Sequence, residues 1–109
     1  MTDTKTTKQT IKNITDKIAE EFNPAKIILF GSYGWGIPRD ESDIDLFIIK
    51  ETDDRRIDRE RAVRKIIFGI EMPLDILVYT PDEVSRRLAF DDPFISEILT
   101  KGETLYEAK

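Results

Sequence analysis

Three short runs, residues 25–30, 43–49 and 74–79, are dense in Ile, Leu, Val and Phe and set apart from the patterns around them. Runs of six or seven such residues read as buried strands, because a core helix needs ten or more. Between them the spacing is helical. Ile11, Ile14, Ile18 and Phe22 recur on one side of a helix predicted over about 5–22, and Asn23-Pro24 ends it, since the residue before proline avoids helical backbone. Residues 31–41, rich in Gly, Pro and charge, read as a loop with room for one helical turn. Residues 54–68 predict a second helix, apolar at Ile57, Val63, Ile66 and Ile67, with Gly69 as its C′ residue. Thr80-Pro81-Asp82-Glu83 is a capping box with proline in the first turn. Asp92-Pro93 repeats the cap-then-proline signal for a last helix ending before Gly102, and residues 103–106 suit a short edge strand. The class is α/β (α+β): one two-layer domain over 1–109, a short mixed sheet with helices mainly on one face.

Cysteine and histidine are both absent. Disulfides, thiolate or imidazole metal sites, Ser-His-Asp triads and histidine bases are therefore excluded within this chain. Catalysis here must use carboxylates, hydroxyls, Lys, Arg, backbone amides and borrowed metal ions. A formal net charge of −5 does not favour grip on a nucleic-acid backbone. No apolar run approaches a bilayer's thickness, and the polar, Thr-rich N-terminus lacks a signal-peptide core, so a cytoplasmic location is expected.

The chemistry concentrates in Gly31-Ser32-Tyr33-Gly34-Trp35-Gly36, then Ser42-Asp43-Ile44-Asp45-Leu46, then Asp75 on the next strand. Glycines at a strand's carboxyl end let the chain turn sharply and let backbone N–H groups approach an anion, and Ser32 adds a hydroxyl. That is a phosphate cradle. Asp43 and Asp45, two apart on a strand, send both carboxylates to one face. Their repulsion is relieved most simply by a divalent cation, and hard oxygen ligands suit Mg²⁺. Asp75 follows with one helix between, so its strand can lie beside that of Asp45. Three carboxylates, metal ions and a phosphate cradle point to two-metal phosphoryl or nucleotidyl transfer.

Other motifs fail. Ile37-Pro38 stands where a P-loop needs Lys-Ser/Thr, and the order of Gly31, Gly34 and Gly36 does not match Gly-x-Gly-x-x-Gly. An EF-hand starting at Asp40 would need a ligand at Ile44 and glycine at Asp45.

Gly31-Ser32, Asp43-Ile44-Asp45-Leu46 and Asp75 together resemble the active-site signature of the DNA polymerase beta-type nucleotidyltransferase superfamily. The likeness covers roughly residues 10–106 and points to its minimal members, often the antitoxin half of HEPN-type toxin–antitoxin pairs. It implies the two-layer nucleotidyltransferase fold, with Gly31 and Ser32 on nucleotide phosphates and two Mg²⁺ ions on Asp43 and Asp45. Asp75 would help bind the catalytic metal and deprotonate the acceptor hydroxyl. Arg39 stands where relatives often carry a basic residue before the Ser-Asp pair, and with Ser42 it joins the expected nucleotide-binding set. Members often have a small residue and then Arg ahead of the next glycine; Gly34 and Trp35 stand there.

The resemblance implies transfer of NMP, AMP from ATP, to a hydroxyl of a protein partner. The expected partner is a HEPN-domain companion subunit that also serves as acceptor, in a hetero-oligomer. Two alternatives stay open: a non-catalytic antitoxin acting by contact, and the catalytic subunit of a two-chain, aminoglycoside-type small-molecule nucleotidyltransferase. Elsewhere Arg55, Arg56, Arg59, Arg61 and Arg64 interleave with Asp54, Asp58 and Glu60, a pattern expected of a solvated, ion-paired helix face. Trp35 suits stacking or packing, and Phe90 and Phe94 are expected in the core, anchoring the last helix.

Overall fold

The computed structural model describes residues 4–34, 43–70 and 72–109. Helix α1 spans Thr4–Phe22 and β1 Lys26–Phe30; a 3₁₀ turn, Gly31–Tyr33, follows. Then come β2 (Ile44–Ile49), α2 (Arg56–Ile66) and β3 (Leu74–Tyr79), and finally α3 (Pro81–Ala89), α4 (Pro93–Lys101) and β4 (Glu103–Glu107). None of the described helices is long and apolar enough to cross a membrane.

Local chemistry sets the boundaries. Asn23 takes the left-handed conformation, φ +52°, just past α1. Lys50 Nζ donates to the Phe22 carbonyl at 2.6 Å, placing a cation where the helix dipole is negative. The Thr80 capping box forms in full: its hydroxyl accepts from Glu83 N while the Glu83 carboxylate accepts from Thr80 N. Asp92 caps α4 by accepting from Phe94 N and Ile95 N. Two boundaries differ from expectation. Strand β2 begins at Ile44, leaving Asp43 one residue ahead of it. Helix α2 ends with Ile67 as C-cap, so Gly69, φ +95°, lies one residue beyond C′.

The sheet order is β3-β2-β1-β4. β1 runs antiparallel to both β2 and β4, and β2 runs parallel to β3 through the α2 crossover, which makes the sheet mixed. On one face Ile27, Leu29, Ile44, Leu46, Ile48, Ile76 and Val78 pack against Ile14, Ile18, Val63 and Ile67. On the other face Ile28, Phe30, Phe47 and Tyr79 pack against Val84 of α3 and Ile95 and Ile98 of α4. The α+β class stands, but helices cover both faces rather than mainly one. β1 and β2 are apolar at consecutive positions, so neither face of the central pair is left for water.

The aromatic residues near α4 also differ from expectation. Phe90 is 84% exposed and Phe94 48% exposed, so neither is a core residue. Ile95 and Ile98 take that role, because the helical spacing from the Asp92 cap turns them to the sheet.

Candidate active site

Phe30, Asp45 and Asp75 lie on three neighbouring strands in matched register. Asp45 is the antiparallel partner of Phe30 and the parallel partner of Asp75. Residues so paired share a face of the sheet, on strands about 4.8 Å apart. The carboxyl end of β1 and the amino ends of β2 and β3 therefore meet at one end of the molecule. Their face is the one covered, further along, by α3 and α4.

The turn after β1 is shaped around Asp45. Gly31 has φ +71°, and an added Cβ there would overlap Asp45 Oδ2. Gly34 closes the turn, donating N–H to the Gly31 carbonyl at 3.1 Å. A Cβ on Gly34 would come within 2.5 Å of the Leu29 carbonyl oxygen and 2.6 Å of Phe30 Cα, so the chain folds back on β1 where only glycine fits. The first N–H groups of such a turn have no partner within it.

Gly31→Ala should therefore cost more than the roughly 1–2 kcal/mol of left-handed backbone alone. In an Asp45→Ala background the carboxylate is gone and the penalty should fall by about 1 kcal/mol, measured as a double-mutant cycle in urea. Equal penalties in both backgrounds would show that the turn is not fitted to the carboxylate.

Electrostatics single out Asp45. Partial burial, then the charges of Asp75 and Asp43, push its carboxyl from 3.8 up to about 6. Asp43 and Asp75 are exposed. Carboxylate oxygens are hard donors of the kind a divalent cation takes, and such a charge would remove the repulsion that raises Asp45. Among the described residues no three acidic side chains are drawn in closely enough to hold one ion as they stand. Asp45 and Asp75 are register partners on neighbouring strands, and Asp43 stands one residue ahead of β2. Arg39, Ser42, Trp35 and Gly36 lie outside the described residues.

One charged residue plays a part that the charge pattern does not reveal. Arg59 is 7% exposed and donates to the carbonyls of Asp54 (2.8 Å) and Val78 (3.2 Å) and to both Glu83 oxygens (2.7 and 3.3 Å). It joins α2, the carboxyl end of β3 and the α3 cap. Its spacing of four from Val63, on the buried stripe, is the signal that would have found it.

Known proteins resemble this chain in sequence and in fold. A protein of Methanocaldococcus jannaschii named "Putative protein adenylyltransferase" is 35% identical over 88 residues, 74% of this chain and 57% of that protein. The chain thus spans little more than half the length of that relative. The crystal structure of a "putative nucleotidyltransferase" from Sulfolobus solfataricus superposes with a TM-score of 0.64 at 22% identity, over 91% of this chain and 78% of that one, a likeness of fold. The family model described as polymerase beta, nucleotidyltransferase matches residues 12–109. Since that match takes in the Gly31 turn and all three aspartates, the chain belongs to the polymerase beta nucleotidyltransferase family.

Proposed function

We propose that this protein transfers a nucleoside monophosphate, AMP from ATP, to a hydroxyl group of a protein partner and releases pyrophosphate. The observation that carries the reading is the register of Asp45 with Asp75, with the Gly31 turn fitted against the Asp45 carboxylate. Asp43, Asp45 and Asp75 would hold Mg²⁺, which supplies charge neutralisation and Lewis acidity at the α-phosphate. Gly31 and Ser32 hold the β- and γ-phosphates through the turn, with Arg39 and Ser42 completing the phosphate contacts. Asp75, at the sheet edge, takes the proton of the acceptor hydroxyl. A bond forms from that oxygen to the α-phosphorus as the bond to the pyrophosphate oxygen breaks. A protein acceptor agrees with the name carried by the M. jannaschii relative. The companion we propose is a HEPN-domain protein that this chain modifies and thereby neutralises.

The test is native lysate with Mg²⁺ and α-phosphate-labelled ATP, comparing wild type with Asp45→Asn. A labelled protein band seen with wild type alone supports the reading and yields the acceptor for mass spectrometry. Label on RNA or a small molecule overturns the protein acceptor. No label from any nucleotide overturns the transferase reading in favour of neutralisation by contact.

A further inference from the structure

Phe94 is poorly explained by packing alone. It opens α4, whose buried side is supplied by Ile95 and Ile98, and it stays 48% exposed. Its ring meets the Phe30 ring edge-on, with centroids 5.9 Å apart and planes at 84°. Phe30 is the register partner of Asp45 and immediately precedes Gly31. Across one end of the sheet the order is therefore Asp75, Asp45, Phe30; Phe94 of α4 lies against Phe30. Phe30, only 7% exposed, serves as the backing; Phe94 is the aromatic surface in this row that is open to a ligand.

We infer that Phe94 stacks on the nucleobase of the bound nucleotide, an inference that rests on the nucleotidyltransferase reading above. Position decides which reactant meets the ring. The acceptor hydroxyl is assigned to Asp75, on the far side of Asp45 from Phe94. The turn assigned to the phosphates begins at the residue after Phe30, the ring that Phe94 meets. A base rising from this face toward α4 meets a ring that Phe30 already holds in place, so little side-chain freedom is lost on stacking. Every base has a π-face, so one aromatic wall grips without demanding a particular hydrogen-bond pattern.

The experiment compares binding of two probes to the full chain in Mg²⁺: α,β-methylene-ATP, whose transferable bond cannot break, and inorganic tripolyphosphate, which has no base. Phe94→Leu keeps an apolar contact for Phe30 without a π-face. It should weaken the ATP analogue by about 5- to 150-fold, the range for loss of one base–aromatic stack, and leave tripolyphosphate unchanged. Phe94→Trp should restore the analogue's affinity. Equal weakening of both probes, or of neither, overturns the stacking role. Wild type binding tripolyphosphate as tightly as the analogue also overturns it, while leaving the transferase reading intact. Failure of wild type to bind either probe overturns both.

Discussion

Asp45→Asn is expected to lose nucleotidyl transfer by about a thousandfold or more, and yet to melt higher than wild type in magnesium-free buffer at pH 7. The first effect follows from removing a charge proposed to hold metal at the reacting phosphate, an interaction worth several kcal/mol. The second follows from the raised carboxyl. Asp45 titrates at about 6 in the folded protein against an ordinary 3.8, so the folded state holds the proton more tightly than the unfolded one. The stability that Asp45 contributes is fully present below about pH 4 and is lost as pH rises to about 6. A rise of that size corresponds to roughly 3 kcal/mol for a sealed group. Asp45 is partly solvated, so about 1 kcal/mol is expected after screening, or some 4 °C in Tm. Calorimetry at pH 4, 5, 6 and 7 checks this: the advantage of Asp45→Asn should grow across the series and shrink when Mg²⁺ is added. A constant difference at all four pH values would refute the electrostatic origin.

The second large effect concerns Arg59. Arg59→Ala leaves Glu83 and the Val78 carbonyl facing each other without their shared cation, and removing one member of a buried pair costs about 3–5 kcal/mol. For a domain of this size that is a large share of the whole stability. Burial alone would push the Glu83 carboxyl up. Hydrogen bonds from Arg59 and Thr80 N, with the charges of Arg59 and Arg56, hold it below its ordinary 4.5. Its contribution is therefore present above about pH 4.5 and lost as pH falls through the lowered value. Urea titrations of Arg59→Ala should show this acid-side loss abolished along with the stability drop. Arg59→Met combined with Glu83→Gln should recover much of the difference, because both charges then leave the interior together. An Arg59→Ala cost below about 1 kcal/mol would place the residue among ordinary surface pairs.

What could be read in the sequence follows from which interactions are local. The Thr80 box, the Asp92 cap and the Asn23-Pro24 stop are settled within four residues, and each formed where its side chains placed it. The adjacency of Asp45 and Asp75 was readable as well, because a single helix between two strands leads to parallel neighbours. Arg59 was misread because five arginines among acids look alike until β3 and α3 show which one they enclose. Phe90 and Phe94 were misread because hydrophobicity without a helical register does not say which residues after a cap turn inward. The second layer of helices depended on a face of β1 and β2 whose partners lie more than thirty residues away in the chain.

Asp75 sits on β3, which among the described residues ends the sheet on one side and bonds to a single neighbouring strand. The Arg59 clamp grips β3 at Val78, toward the other end of the strand. Outer strands exchange their amide hydrogens and fray at lower free energy than central ones. The third carboxylate thus rides on an outer strand of the ladder. Warming that frays this edge would carry off the carboxylate proposed as proton acceptor while the β1–β2 hairpin still carries Asp45, so turnover would fall before the fold does.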